Sequence, residues 1–286
     1  MRNLTEHNVT DAILRQMSDT MDPRLRGIMA SLVTHLHGFV REVEPTPDEW
    51  MAGIQFLTAV GKMCDERRQE FVLLSDTLGV SALVDTINNR SRDGATQSSL
   101  LGPFYRDGAP ELAMAADMAG DVKGHRVIVS GRVLAGDRPI AGALLDVWQA
   151  APNGLYDVQD PDQPDMNLRA RYRTDGDGRY EFRTVEPSFY GIPSDGPVGA
   201  MLRAVGRHPN RPAHLHVIVS AGGYIPLTTA LFSEGDRYLD SDAVLGVRSG
   251  LIVKYVRHDS LDEAARRQVS APFYTVDYDF VLKPAV

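Results

Sequence analysis

The spacing of hydrophobic positions changes along the chain. Up to about residue 95, apolar residues recur every three or four positions, as they do along one face of an α-helix. The clearest run consists of Leu25, Ile28, Met29, Leu32, Leu36 and Val40. A shorter run before it consists of Leu14, Met17 and Met21. We therefore expect residues 1–98 to form a helical domain.

A capping box marks the start of the next predicted helix. Thr46 is followed by Pro47, whose fixed backbone angle suits the first helical turn, and Glu49 lies three residues after Thr46. Farther on, Gly79 separates the helix expected through residues 71–74 from a shorter one that follows it.

From about residue 96 the pattern becomes that of short strands. Proline, glycine and β-branched residues become more frequent, and turn clusters such as Asp175-Gly176-Asp177-Gly178 separate the apolar runs. The candidate strands are residues 126–133, 143–148, 180–185, 213–220, 227–232, 251–256 and 274–282. This pattern predicts an antiparallel β-sandwich over residues 99–286 and an α+β fold for the whole chain.

Composition narrows the class of protein. The 286 residues are 43% hydrophobic and 24% charged, which excludes a disordered, collagen-like or coiled-coil chain. The net charge of −8, without a basic run, argues against nucleic-acid binding. The single cysteine, Cys64, can form neither an intrachain disulfide nor a cysteine-based metal site. Because neither a membrane span nor a signal peptide is recognisable, we expect a cytoplasmic protein.

The sequence lacks the motifs of several common catalytic and binding sites. The sequence contains no phosphate-binding loop, dinucleotide-binding glycine motif, hydrolase nucleophile elbow or His-Glu-x-x-His zinc motif. It also contains no His-x-Asp or His-x-Glu, which weakens an Fe(II) site of two histidines and one carboxylate.

Two His-x-His pairs differ in what their geometry permits. His35 and His37 fall in the helical half, where residues two apart point in nearly opposite directions. His214 and His216 fall in a candidate strand, where alternate residues face the same side, so both imidazoles can reach one metal ion. The alternative is a pair of surface histidines on the polar face of that strand.

Two histidines leave a metal site incomplete, and tyrosine is a candidate for the remaining ligands. Phenolate is a hard anionic donor that suits Fe(III), and a bound cation favours the phenolate over the phenol. Two phenolates and one hydroxide neutralise Fe(III), which lowers the cost of burying the site. Ten tyrosines are available, and spacing alone does not select among them.

Four segments resemble the intradiol ring-cleavage dioxygenases of the catechol and hydroxyquinol 1,2-dioxygenase type. They occur in the family's order and at family-like separations, within a resemblance that covers roughly residues 20–260. The segments are Leu101-Gly102-Pro103-Phe104-Tyr105 through Pro110, Asp146-Val147-Trp148-Gln149-Ala150 through Asp157, Tyr190-Gly191-Ile192-Pro193 through Gly199, and Arg211-Pro212-Ala213-His214-Leu215-His216.

The resemblance implies a non-haem Fe(III) held by Tyr156, Tyr190, His214 and His216. The residues that match Tyr156 and His214 are equatorial ligands in the family, and those that match Tyr190 and His216 are axial. Tyr190 is also implied as a base that leaves the iron when substrate binds. Arg211 matches a residue that stabilises the bound substrate and its developing charge.

The implied reaction is cleavage of a dihydroxylated ring between its two hydroxyl-bearing carbons, with both atoms of O2 entering the product. The segment 238–244 and the pair Leu73 and Asp76 resemble the hydroxyquinol subgroup more than the plain catechol enzymes. This resemblance implies hydroxyquinol (1,2,4-trihydroxybenzene) as the substrate and 3-hydroxy-cis,cis-muconate or maleylacetate as the product. The Asp76 carboxylate can accept a hydrogen bond from the third hydroxyl, which discriminates against substrates that lack it. Alternatively Asp76 only caps a helical turn, and the substrate is catechol or chlorocatechol.

The remaining predicted substrate contacts form an apolar slot suited to a flat ring. They are Leu100, Leu101, Gly102, Pro103, Ile192, Pro193 and Val244. Ordinary core packing is the alternative for each of them. Ala230 departs from the family pattern, since catechol enzymes carry glutamine sixteen residues after the first histidine ligand.

The helical half resembles the family's linker domain, which joins two subunits. We therefore expect a homodimer formed through these helices, and the resemblance leaves open a bound phospholipid at that interface. Two hypotheses from other classes remain. One is a metal-free β-sandwich binding module with a helical dimerisation arm, and the other is a zinc hydrolase that uses His214 and His216.

Overall fold

The computed structural model describes residues 3–19, 22–66, 68–90 and 94–285. The chain forms two compact units, Met1–Lys62 and Met63–Val286. The predicted helical position Met21 lies outside the described residues. The domain boundary between residues 98 and 99 stays a prediction; the second compact unit contains two helices that precede it.

The first unit consists of three helices, α1 (Val9–Gln16), α2 (Pro23–Val43) and α3 (Pro47–Lys62). The capping box that the sequence predicts is formed at the start of α3. The Thr46 amide and hydroxyl both donate to Glu49 Oε2, at 2.8 and 2.9 Å, and the Glu49 amide donates back to Thr46 Oγ1 at 3.3 Å. These reciprocal bonds satisfy amide groups that the first helical turn leaves without partners.

The second unit begins with α4 (Glu70–Thr77) and α5 (Val80–Asn88), which are separated at Gly79 as predicted. Later helices are α6 (Pro197–Ala204) and α7 (Leu261–Arg266). The strands are β1 (Arg126–Ala135), β2 (Arg138–Pro139), β3 (Leu144–Trp148), β4 (Arg169–Arg173), β5 (Arg179–Val185), β6 (Tyr190–Gly191), β7 (Asn210–Arg211), β8 (His214–Ser220), β9 (Leu227–Ser233), β10 (Ile252–Val253), β11 (Val256–His258), β12 (Phe273–Asp277) and β13 (Phe280–Val281).

The strands form two large sheets and a small ribbon. One sheet has the order β11-β12-β1-β13, with β2 and β5 also paired to β1, and the other has the order β10-β9-β8-β3-β4. β6 and β7 form the ribbon. Most ladders are antiparallel, as expected, but β1 pairs in parallel with β12 and β13, and β9 pairs in parallel with β10, so the sheets are mixed.

The main hydrophobic core contains residues from both large sheets, which establishes the predicted sandwich. β1 contributes Val127 and Val129, and β8 contributes Leu215, Val217 and Val219. Because side chains alternate along a strand, His214 and His216 lie on the face of β8 opposite these core residues. The loops before and after the neighbouring strands can therefore cover the two histidines.

Two predicted strands differ from the structure, and one strand was not predicted. Residues 251–256 form the end of a 3-10 helix and two short strands, and residues 274–282 break into β12 and β13. The break occurs because Asp279 Oδ1 accepts the Arg132 amide at 2.7 Å, in place of a regular ladder bond. β4 was not predicted: Ala170 and Tyr172 alternate with its three arginines, but two apolar positions in five residues are a weak strand signal.

No helix within the described ranges is both long enough and apolar enough to cross a membrane.

Gly131 allows the break between β12 and β13, and its substitution is expected to destabilise the second unit. Gly131 has a φ of +154°, and a Cβ there would overlap the backbone carbonyl of Tyr278. We expect Gly131→Ala to lower the free energy of unfolding by about 3 kcal/mol or more, since backbone strain and a steric clash add. Chemical denaturation followed by fluorescence measures this change.

Gly176→Ala is the matched control, because a Cβ at Gly176 meets no atom within 4 Å. Its free energy of unfolding is expected to stay within about 1 kcal/mol of the wild-type value. Equal losses in the two variants contradict the explanation for Gly131.

Candidate metal and substrate site

Four predicted ligands converge on the outer face of the five-stranded sheet. His214 and His216 begin the central strand β8, and Tyr190 lies in the β6–β7 ribbon directly opposite Arg211. Tyr156 comes from the long connection between β3 and β4. All four side chains are almost fully buried, with exposed fractions of 1% for Tyr156 and His216, 2% for His214 and 4% for Tyr190. They are therefore not the surface histidines of the alternative interpretation.

The donor atoms of these residues face one another. His214 Nε2 and His216 Nε2 are 3.0 Å apart, and their rings are nearly perpendicular at 83°. The Tyr190 ring lies 5.4 Å from the Tyr156 ring and 5.4 Å from the His214 ring, measured between centroids. The Tyr156 hydroxyl is buried and has no hydrogen-bond partner among the residues that the structure describes. Such an unpaired buried group is costly unless a further ligand satisfies it.

A backbone hydrogen bond fixes the tautomer of His214. His214 Nδ1 lies 2.7 Å from the carbonyl oxygen of Pro212, which can only accept, so Nδ1 carries the proton. His214 Nε2 therefore carries the lone pair, and it lies 3.0 Å from His216 Nε2 and 3.2 Å from Arg211 Nη1. This is the arrangement in which a histidine serves as a metal ligand while its other nitrogen is held by the protein.

Burial keeps both imidazoles neutral and both ready to donate a lone pair. Desolvation, followed by the nearby Arg211 guanidinium, lowers the pKa of His214 to about 3. Desolvation and the neighbouring His214 place the pKa of His216 well below its ordinary value. Burial, with Tyr190 close by, raises the pKa of the Tyr156 phenol well above 10.0. A bound cation reverses this last effect and favours the phenolate.

Two aromatic rings stack on two of the candidate ligands. The Trp148 indole stacks on the His216 imidazole with centroids 4.8 Å apart and an angle of 3° between the planes. The Phe104 ring stacks on Tyr156 at 4.6 Å and 26°. Such contacts restrict ring orientation in addition to burying apolar area.

Arg211 reaches the same cluster from the β6–β7 ribbon. Its Nη1 lies 3.2 Å from His214 Nε2 and donates to the Tyr190 hydroxyl at 3.4 Å. Its other side faces Asp242, with Nε to Oδ1 at 3.1 Å and Nη2 to Oδ2 at 3.4 Å. Both side chains of this ion pair are 2% exposed. Although burial opposes its charge, Arg211 holds the pKa of Asp242 below the ordinary value.

The predicted specificity residues come from α4 and from the segment that follows Asp242. Leu73 and Val244 are buried, at 8% and 4% exposed. Burial raises the pKa of Asp76, while the charge of Arg211 lowers it and that of Asp242 raises it further. Thr77, the next residue of α4, is joined through Arg207 to Ala243, which adjoins Asp242. The structure therefore brings Asp76 into the region of Arg211.

Arg207 ties these two specificity segments together. Its Nη1 donates to the Thr77 carbonyl at the end of α4, at 2.5 Å, and its Nη2 donates to the Ala243 carbonyl at 3.0 Å. The distance between the end of α4 and the segment after Asp242 is thus set by one side chain with two fixed donor positions.

The other predicted substrate contacts divide into two groups. Gly102 approaches the site, since a Cβ there would lie 3.6 Å from His216 Nε2. Ile192 and Pro193 directly follow β6, and Ile192 is buried while Pro193 is half-buried. Pro103, in contrast, is exposed. Leu100 and Leu101 line a separate cavity of about 330 Å³, whose described lining contains none of the four candidate ligands.

Three further residues of this region have no role predicted from the sequence. Asp242 pairs with Arg211, Trp148 stacks on His216, and the Arg169 guanidinium lies 5.8 Å from the centroid of the Tyr156 ring. Trp148 and Asp242 lie inside segments that carry the resemblance, which was the available signal. Arg169 lies in the unpredicted strand β4, so its position was not accessible from the pattern.

Comparison with known proteins gives matches over most of the chain. The family model described as "Dioxygenase" matches residues 100–284, and the one described as "Catechol dioxygenase N terminus" matches residues 22–96. The chain is 50% identical to a hydroxyquinol 1,2-dioxygenase of Rhizobium sp. (strain MTP-10005), covering 97% of this chain and 95% of the relative. It is 47% identical to a 6-chlorohydroxyquinol 1,2-dioxygenase of Cupriavidus pinatubonensis, covering 100% of both chains.

A solved structure is also similar over nearly the whole length. The crystal structure of hydroxyquinol 1,2-dioxygenase from Pseudomonas putida DLL-E4 superposes with a TM-score of 0.93 and 49% sequence identity. The match covers 98% of this chain and 99% of that chain.

Proposed function

The chain belongs to the catechol-type intradiol dioxygenase family, and on that premise we propose that it is a cytoplasmic enzyme that cleaves hydroxyquinol. The proposed reaction uses non-haem Fe(III) and O2 to open the ring between its two adjacent hydroxyl-bearing carbons. The product is 3-hydroxy-cis,cis-muconate or its tautomer maleylacetate. The observation that carries the proposal is the buried convergence of Tyr156, Tyr190, His214 and His216.

The donor set fits ferric iron. Two neutral imidazoles present their Nε2 atoms to each other, and the Tyr156 hydroxyl has no hydrogen-bond partner within the described residues. Two phenolates are hard anionic ligands that balance most of the charge of Fe(III). When bound, the iron acts as a Lewis acid and template that makes the aromatic diol reactive toward O2.

The surrounding residues supply proton transfer and charge stabilisation. We assign the Tyr190 phenolate as a base for a substrate hydroxyl, because its oxygen faces the same space as His214 Nε2 and Arg211 Nη1. The Arg211 guanidinium is a fixed buried cation that favours negative charge as it develops on the ring oxygens.

Asp76 supports hydroxyquinol rather than catechol as the substrate. It is a half-buried carboxylate near Arg211, on the same helix as the buried Leu73. A carboxylate aimed at a third ring hydroxyl gains a hydrogen bond only with substrates that have that hydroxyl. With catechol, the same carboxylate remains desolvated without a substrate partner.

Iron binding and the visible spectrum test the metal site. We expect the purified enzyme to show a broad tyrosinate-to-Fe(III) charge-transfer band that moves to longer wavelength on anaerobic addition of hydroxyquinol. Tyr156→Phe and His216→Ala are expected to lower bound iron and to reduce turnover by about 100-fold or more, because each removes a ligand. Metal analysis, absorption spectroscopy and O2 consumption give the three readouts.

Tyr172→Phe is the control for loss of a buried tyrosine. Tyr172 packs in the sandwich core and donates to the Ala116 carbonyl at 3.2 Å. Iron content and spectrum are expected to match the wild type. A wild-type protein that stays colourless after reconstitution with iron overturns the proposal and favours a metal-free binding module. A colourless enzyme that is active without O2 favours a zinc hydrolase.

Substrate selectivity tests Asp76. We expect Asp76→Ala to lower kcat/KM for hydroxyquinol by about 10- to 100-fold, the usual range for losing one buried hydrogen bond to substrate. The kcat/KM for catechol, measured on the same preparation, is expected to change by less than about threefold. A wild-type enzyme that prefers catechol or a chlorocatechol contradicts the assignment of Asp76, and 6-chlorohydroxyquinol extends the series.

We also propose a homodimer formed through α2. This helix has 21 residues, none of them buried, yet one side carries apolar residues at helical spacing. Its exposed large side chains include Leu25, Ile28, Leu32, Leu36, Phe39 and Val43. A continuous apolar stripe of this length is typical of a protein interface, and we propose the same surface for a phospholipid tail.

Multi-angle light scattering tests the dimer. Leu36→Glu combined with Phe39→Glu places two charges in the stripe and is expected to shift the protein toward the monomer mass. Leu261→Glu, at a residue 77% exposed on α7, is the control and should leave the mass unchanged. A monomeric wild-type protein overturns the dimer, and mass spectrometry of an organic extract tests the lipid.

A further inference from the structure

We propose that Asp242 is a positioning residue that aims the guanidinium of Arg211 at the ligand cluster. The proposal rests on the proposed function, since Arg211 matters there as the cation that stabilises the reacting substrate. The described hydrogen bonds of the Asp242 carboxylate go to the Arg211 guanidinium and to two backbone amides. None of them goes to Tyr190 or His214. Its influence therefore passes through Arg211.

The carboxylate of Asp242 is itself held in a fixed orientation. Oδ1 accepts the Val244 amide at 3.3 Å, and Oδ2 accepts the Gly246 amide at 2.9 Å. Each oxygen also accepts one nitrogen of Arg211, at 3.1 and 3.4 Å. A carboxylate with two backbone donors and a two-point guanidinium contact has little freedom to rotate.

This pairing determines which part of Arg211 faces the cluster. Nε and Nη2 are occupied by Asp242, so Nη1 alone points toward Tyr190 and His214. The backbone closes the opposite side, because a Cβ at Gly246 would lie 2.9 Å from Nη2 and 3.2 Å from Asp242 Oδ2. The guanidinium therefore cannot turn another nitrogen into the site without breaking its contacts with Asp242.

The ion pair also balances charge where water is absent. Arg211 and Asp242 are both 2% exposed, and a single buried guanidinium without a counterion is strongly disfavoured. Ala230, opposite His216 in the β8–β9 ladder, offers no polar group that could take the place of Asp242. Asp76 feels the charges of Arg211 and Asp242, but its own side-chain hydrogen bond is to Ser81.

A double-mutant cycle tests the assignment on the iron-loaded enzyme. We expect Asp242→Asn to lower kcat for hydroxyquinol by about 100-fold, as loss of an oriented charge-stabilising donor commonly does. Iron content and the charge-transfer band of the resting enzyme are expected to stay close to wild type, since all four ligands remain. Asp242→Glu keeps the charge and is expected to recover part of the loss.

The second arm of the cycle uses Arg211→Gln alone and combined with Asp242→Asn. If Asp242 acts through Arg211, the double variant is expected to be no less active than Arg211→Gln. The double variant also removes both buried charges, so it reports on activity even if Asp242→Asn by itself loads iron poorly. Glu70→Gln controls for loss of a buried carboxylate, because Glu70 is 1% exposed and pairs with Arg68.

The outcomes separate this inference from the proposed function. A wild-type enzyme without iron, band or turnover contradicts the proposed function. A fully active wild type with kcat of Asp242→Asn within about threefold overturns only the role of Asp242. Losses that multiply in the double variant, or an equal loss of kcat in Glu70→Gln, likewise overturn it, because they indicate a general structural effect.

Discussion

The alternation of β8 is the constraint on which the site depends. Leu215, Val217 and Val219 anchor one face of this strand in the core between the sheets, so His214 and His216 must share the other face. β8 is paired on both sides, with β3 and β9, which fixes its register twice. A slip by one residue would turn both imidazoles into the apolar core and the valines out of it. The register that builds the core is therefore the same register that places the two histidines side by side.

The rest of the site consists of segments that cover this face. The β3–β4 connection brings Tyr156, and the β6–β7 ribbon brings Tyr190 and Arg211 as opposed partners of one ladder. None of these segments is a long regular element, yet each is held at a few points by the sandwich beneath it. A rigid sheet with irregular loops above it is a common way to combine precise ligand positions with a pocket that can differ between relatives.

Much of the fold, and the placement of His214 and His216 on one face of a strand, was predictable because it depends on local patterns. The Thr46 capping box, the break at Gly79 and the alternation of residues 213–220 each follow from the chemistry of neighbouring residues. The tyrosines could be selected only through the resemblance of their segments, because spacing does not show which loops meet. The alternation in β4 was too short to identify a strand, and the pairing of Arg211 with Asp242, 31 residues apart, depends on tertiary contacts that leave no periodic signal.

The two-point contact of Arg207 has a consequence for how related enzymes diverge. Since one guanidinium joins the end of α4 to the backbone beside Val244, the two walls formed by the proposed specificity residues are mechanically linked. A change of side-chain volume on either wall shifts the other. Altered substrate preference in this lineage is therefore expected to arise through paired, non-additive substitutions on the two walls rather than through independent single steps.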